Sequence, residues 1–152
     1  MSLAFRNIDV SPEDPVEVWP TEAVLTALER GGLEHWRRLT AAINEDPWGP
    51  LARRLEEALE VSRPYGVGVL MADALAAARR RAERTERAAV AVEITRLQAA
   101  SGMARAEFAS AIGTSVSRLS TYLSGKVTPS AALLVRMRRV ATRRSGPPST
   151  NS

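Results

Sequence analysis

One long stretch without proline constrains the fold of this chain more than any other feature. It runs from Val67 to Gly102 and is dense in alanine, arginine, leucine and glutamate, which have high helix propensity. The stretch predicts one long helix or two nearly continuous helices. Within it Glu83 precedes Arg87 by four residues, an orientation that favours an ion pair on a helix surface. Because the chain has no alternating apolar pattern, no internal repeat and no sustained heptads, we expect an all-α protein.

Shorter helices are expected before this stretch. Apolar residues at three- and four-residue steps predict helices over residues 21–30, 33–44 and 50–60. Thr21 can cap the first of them with its hydroxyl, and two glycines follow its end. Three prolines within residues 11–20 make residues 1–19 an irregular lead-in, because each proline removes a backbone donor and restricts its neighbour. Trp19 is the expected anchor of this lead-in.

Charge divides the chain into an acidic half and a basic half. Residues 1–75 hold seven arginines and thirteen acidic residues, a net charge of −6. Residues 76–152 hold thirteen arginines, one lysine and four glutamates, a net charge of +10. A basic half is typical of nucleic-acid binding, although strings such as RRRAER also occur on solvated helix faces. The predicted organisation is an irregular lead-in (1–19), an acidic helical domain (20–75), a connecting helix with a DNA-binding domain (76–142) and a flexible tail (143–152).

Composition argues against several classes of function. The absence of cysteine excludes disulfides, thiolate-rich zinc sites and thiolate catalysis. A metal needs several convergent ligands, so the single histidine, His35, is expected to be structural or at the surface. The sequence has no glycine-rich nucleotide loop, no histidine pair and no carboxylate pair with an evident pocket, so we expect neither an enzyme nor a bound metal or cofactor. No apolar run approaches the ~20 residues that span a bilayer, and the N-terminus lacks a secretion signal, so we expect a cytoplasmic protein without a membrane partner.

The segment from Ala104 to Ser130 carries the most specific pattern. It predicts two short helices joined by a tight turn at Gly113, with a second turn at Gly125. Ala109 is small enough for the two helices to cross closely, and Gly113 can adopt the positive φ that such a turn requires. The residues expected in the core are Phe108, Ile112, Leu119 and Tyr122, with Leu133, Leu134, Met137 and Val140 from a last helix.

Residues 90–142, about a third of the chain, resemble the Cro/repressor-type (XRE-type) helix-turn-helix family. The residues that carry the resemblance are Arg105, Glu107, Phe108, Ala109, Ile112, Gly113, Ser115, Leu119, Tyr122, Ser124, Gly125, Lys126 and Pro129. Ala104 departs from the family, because a capping serine or threonine is usual there. Gln98 and Leu123 replace a frequent arginine–glutamate pair, and since both partners are absent no buried charge is left unpaired.

The resemblance implies which residues would contact DNA. The second short helix, about residues 116–124, would enter the major groove with Ser115, Val116, Ser117, Arg118 and Thr121 at base edges. The residues implied at phosphates are Arg105, Ser124, Lys126 and Thr128. The alternative for Arg105 and Arg118 is that they are solvated surface residues. Because Ser, Thr and Val give modest direct readout, specificity is expected to depend partly on DNA shape.

The resemblance further implies a bacterial, sequence-specific transcriptional regulator with phage-repressor-like architecture. We expect a repressor that binds a two-fold operator in double-stranded DNA as a homodimer. Residues 20–75 resemble no module that names their role, and they are expected to dimerise, to bind a protein or to sense a ligand. The alternative function is an antitoxin that autoregulates its operon and binds its toxin through the N-terminal half.

Overall fold

The computed structural model describes residues 2–144, with Arg144 described by its backbone alone. The helices are α1 (Thr21–Arg30), α2 (Leu33–Glu45), α3 (Pro50–Val61), α4 (Val67–Ser101), α5 (Arg105–Ile112), α6 (Val116–Leu123) and α7 (Ala131–Arg144). A short 3-10 turn precedes α1, and no strand occurs among the described residues. The prediction of an all-α protein is confirmed. Residues 145–152 of the predicted tail lie outside the described residues.

No helix in the part of the chain that the structure describes combines the length and the apolar character that crossing a bilayer would require. The longest, α4, carries charged residues throughout its middle.

The chain divides into two compact units, Met1–Ala82 and Glu83–Ser152. The division falls after Ala82, later than the end of the acidic domain expected at residue 75. The reason lies in α4, whose first turns contribute Val67, Met71 and Leu75 to the buried core of the first unit. The remainder of α4 belongs to the second unit.

Trp19 fixes the irregular lead-in of the first unit. Its ring is fully buried and meets Phe5 edge to face, with ring centroids 5.1 Å apart. The Arg38 guanidinium lies over the same ring and donates to the carbonyl oxygens of Pro12 and Asp14, each at 2.6 Å. Arg38 thereby ties α2 to a proline-containing segment that has few backbone bonds of its own.

The N-terminal ends of α1 and α2 differ in how they are capped. The expectation that Thr21 caps α1 is wrong, because Pro20 occupies the N-cap position and the Thr21 hydroxyl donates to Glu57 Oε2 on α3 at 2.7 Å. At the start of α2, His35 Nδ1 accepts a hydrogen bond from the Gly32 amide at 3.1 Å. His35 thus satisfies a backbone donor that the helix leaves free.

The second unit encloses its own core. The buried hydrophobic cluster at its centre contains Ile94, Phe108, Ala109, Ile112, Leu119, Leu133 and Met137, with Tyr122, Leu134 and Val140 partly buried against it. Ser101 closes α4, since its hydroxyl donates to the Gln98 carbonyl at 2.6 Å and accepts from the Met103 amide at 3.2 Å.

The ion pair expected on α4 does not form. In the described chain no carboxylate lies within 4.0 Å of the Arg87 guanidinium, so the predicted Glu83–Arg87 pair is wrong. Four-residue spacing makes such a pair possible, but the small gain of an exposed pair does not fix two long side chains. Among the described residues of the second unit, an ion pair joins Arg138 of α7 to Glu93 of α4 at 2.8 Å.

Candidate nucleic-acid interface

Helices α5 and α6 are joined by a three-residue turn, residues 113–115, which is held by backbone hydrogen bonds. Gly113 adopts φ 79° and ψ 36°, the left-handed region that glycine enters without steric cost. The Thr114 amide donates to the Ala109 carbonyl at 2.9 Å, and the Gly113 amide donates to the Ser110 carbonyl at 3.1 Å. These two bonds form a Schellman motif, which satisfies carbonyls at the end of α5 and directs the chain into α6.

The packing of α5 on α6 depends on small and apolar residues. Ala109 is almost completely buried, and its methyl group leaves room for the two helix backbones to approach. Phe108 and Leu119, one from each helix, are fully buried beside it. One face of α6 is therefore held in the core while the opposite face is turned to solvent.

The first turns of the two helices are stabilised differently. The Ser115 hydroxyl caps α6 by accepting a hydrogen bond from the Arg118 amide at 3.1 Å. Ala104 occupies the N-cap position of α5 and supplies no side-chain bond. The Ser115 side chain, expected at a base edge, thus also makes a structural hydrogen bond within an exposed residue.

Four of the five residues expected at base edges lie exposed on the cap and first turn of α6. They are Ser115, Val116, Ser117 and Arg118, and Val116 keeps 45% of its surface exposed. Thr121 lies one turn further on, is half-buried, and donates its hydroxyl proton to the Arg118 carbonyl at 2.6 Å. Its oxygen can still accept a hydrogen bond from a base, but its donor is already used.

The residues expected at phosphates lie on two elements. Ser124, Lys126 and Thr128 are exposed in the segment that follows α6. Arg105 is exposed at the start of α5, and its Nη1 donates to the Ser120 hydroxyl of α6 at 3.4 Å. Ser120 was not identified from the sequence, although a serine on the partly buried side of an amphipathic helix is a signal for a polar partner.

Arg136 of α7 is a second residue that sequence reasoning missed. Its Nη1 donates to the Ile112 carbonyl at 3.3 Å, so a positive charge lies at the C-terminal end of α5, where the helix dipole favours it. Nothing in the sequence separates Arg136 from the other arginines of α7, because its partner lies 24 residues earlier.

The charge around this surface is strongly positive. Residues 83–152 contain ten arginines, one lysine and four glutamates, a net charge of +7. One of these glutamates, Glu93, is already engaged by Arg138. Such a surface attracts polyanions and repels acidic surfaces.

Neither a match to a known protein nor a set of metal ligands assigns a function to this surface. None of the family models, curated proteins and solved structures compared with the chain matches it. Among residues 2–144, no group of three or more histidine, aspartate or glutamate side chains could hold a metal ion. The features that point to a function are the exposed first turn of α6 and the cations around it.

Proposed function

We propose that α5, the turn and α6 form a helix-turn-helix that binds double-stranded DNA, and that the protein is a sequence-specific transcriptional regulator. The observation that carries the proposal is the exposure of Val116, Ser117 and Arg118 in the first turn of a helix that is anchored in the core by Leu119. A helix held in this way can enter a major groove about 12 Å wide and bring its first turn to the base edges.

The side chains on α6 determine what kind of readout is possible. Arg118 can bind guanine O6 and N7, and the Val116 methyl groups can contact a thymine methyl. Ser115 and Ser117 offer hydroxyls, which discriminate weakly between bases. Because Thr121 donates its proton within the helix, base-specific hydrogen bonds are few, and DNA shape supplies part of the specificity.

Phosphate contacts supply most of the affinity in this proposal. Arg105, braced by Ser120, reaches the backbone on one side of α6, while Ser124, Lys126 and Thr128 follow its other end. Two copies of the chain occupy a two-fold operator, since few base contacts per copy make paired half-sites the main route to tight binding. Occupation of the operator represses transcription in the cytoplasm by excluding the polymerase.

Selection of genomic DNA by the purified protein, followed by affinity measurements on the selected duplex, tests this proposal. Arg105→Ala should weaken binding to all sequences alike and reduce the slope of log affinity against log salt by about one. Thr121→Ala should alter preference at one base pair. Arg53→Ala, which removes an exposed arginine of α3, is the matched control and should leave the slope unchanged. A wild-type chain that ignores duplexes at low salt, or an Arg105→Ala variant equal to the control, contradicts the proposal.

A further inference from the structure

The face of α4 that packs on the core of the second unit continues one turn beyond that core. The core-facing residues of α4 are Val90, Ala91, Ile94 and Leu97. A step of four residues back from Ala91, or of seven from Ile94, reaches Arg87 on the same face. A hydrophobic stripe thus ends in an arginine that is turned toward the rest of the unit.

Burial supports this placement of Arg87. Within residues 83–89 every other side chain is exposed, whereas Arg87 is half-buried. A half-buried arginine packs its apolar stem and keeps the guanidinium in water. No carboxylate of the described chain lies within 4.0 Å of that guanidinium, so its charge is available to a ligand.

The backbone of Arg87 lies against the segment that follows α6. Gly125, at φ 76°, is so close to α4 that a Cβ built on it would lie 3.7 Å from the Arg87 carbonyl oxygen and 3.9 Å from the Ala91 Cβ. The next residue is Lys126, which is exposed and has no ion-pair partner in the described chain. Two unneutralised cations are therefore carried by backbone segments that approach each other closely.

We propose that Arg87 and Lys126 together form a phosphate subsite that holds the backbone of double-stranded DNA beside α6. The inference rests on the proposed function, but Arg87 precedes residue 90, where the family resemblance begins, so the resemblance does not imply it. The planar guanidinium binds a phosphate through two hydrogen bonds, and the lysine ammonium adds a point charge. The long helix α4 thereby extends the DNA-binding surface beyond the two short helices.

The acidic neighbours of Arg87 provide a further test of the phosphate subsite. Glu83 lies one turn earlier on the same face of α4, and Glu86 is adjacent in sequence; both are exposed. A phosphate bound at Arg87 would be repelled by the Glu83 carboxylate. Glu83→Gln should therefore strengthen binding, and the gain should be smaller in the Arg87→Gln background, where no phosphate is held next to residue 83.

The experiment measures affinity for the selected duplex between about 50 mM and 200 mM salt. Arg87→Gln should reduce the salt slope by about 0.9 and weaken binding at 0.1 M salt by about eightfold, the counterion-release contribution of one phosphate. Arg87→Lys should restore most of the slope, and combining Arg87→Gln with Lys126→Gln should reduce it by about 1.8. Arg53→Gln is the control, because Arg53 is an exposed arginine of α3 in the first unit and is not part of the proposed surface.

The possible outcomes separate this inference from the proposed function. Tight binding by the wild type with an unchanged slope for Arg87→Gln, or an equal loss for Arg53→Gln, overturns the phosphate subsite and leaves the helix-turn-helix standing. Absence of duplex binding by the wild type overturns both. A circular dichroism spectrum identical to that of the wild type confirms that each variant is folded.

Discussion

Gly113 is the residue on which the geometry of the candidate interface depends most directly. Its φ of 79° lies in the left-handed region, where a Cβ meets the following carbonyl oxygen. Space around the residue is not the constraint, because a Cβ there would lie 3.6 Å from its nearest neighbour, Arg136 Nη1. The requirement for glycine is therefore one of backbone conformation.

Replacement of Gly113 should destabilise the protein in a graded way. We expect Gly113→Ala to lower the free energy of unfolding of the second unit by about 1 to 2 kcal/mol, the cost of a left-handed non-glycine residue. Gly113→Asn should cost less, because asparagine tolerates this conformation. Urea denaturation followed by circular dichroism measures both. Equal stability of the alanine variant and the wild type would show that the turn does not need a positive φ.

Helix α5 begins without a side-chain cap, although its geometry would accept one. Ala104 has the extended backbone typical of an N-cap, with φ −66° and ψ 161°, and Glu107 occupies the third helical position. Ala104→Ser would complete a capping box, since the serine hydroxyl could accept from the Glu107 amide while the Glu107 carboxylate accepts from the residue 104 amide.

We expect Ala104→Ser to raise the free energy of unfolding by about 1 kcal/mol. Thermal unfolding of Ala104→Ser, the double variant Ala104→Ser/Glu107→Ala and the wild type measures the effect. The double variant should retain only part of the gain. A serine variant no more stable than the wild type would mean that the first turn of α5 is already satisfied by solvent.

Local sequence patterns predict the elements of this chain better than the partners of its polar side chains. The absence of proline and the high helix propensity of the stretch from Val67 to Gly102 predict one helix or two nearly continuous helices, and the structure has one, from Val67 to Ser101. By contrast, the hydroxyl of Thr21 bonds Glu57 rather than its own helix. The bonds of Arg105 to Ser120 and of Arg136 to Ile112 also depend on how helices pack, which no local pattern encodes.

In the candidate site, too, local patterns predict the elements but not the contacts that depend on tertiary packing. The sequence could place Ser117 and Leu119 on different sides of α6, because residues two apart do not share a helix face. Val116 lies three residues before Leu119, on the same side of the helix, so the helical pattern does not predict its 45% exposure. The sequence could not place Arg87, whose role in the proposed subsite depends on the approach of Gly125 to α4. A contact between segments 38 residues apart follows from tertiary packing alone.

At the scale of the whole chain, the two units have separate cores. The buried cluster of the first unit draws on residues between Val16 and Leu75, and that of the second on residues between Ile94 and Met137. All three tryptophans, at positions 19, 36 and 48, belong to the first unit. Tryptophan fluorescence therefore reports on the first unit, while circular dichroism reports on the helices of both.

This arrangement lets the stability of each unit be measured in the intact protein. Ile112→Ala removes a buried side chain from the second core and should cost about 2 to 5 kcal/mol there, with Leu55→Ala as its counterpart in the first. We expect Ile112→Ala to shift the urea midpoint seen by circular dichroism and to leave the fluorescence midpoint almost unchanged, and Leu55→Ala to shift the fluorescence midpoint.

Because the proposed DNA-binding surface belongs to the second unit, Ile112→Ala should also lose DNA affinity as that unit unfolds, whereas Leu55→Ala should retain it at the same urea concentration. Midpoints that move together in both variants would show that the two cores unfold as one cooperative unit.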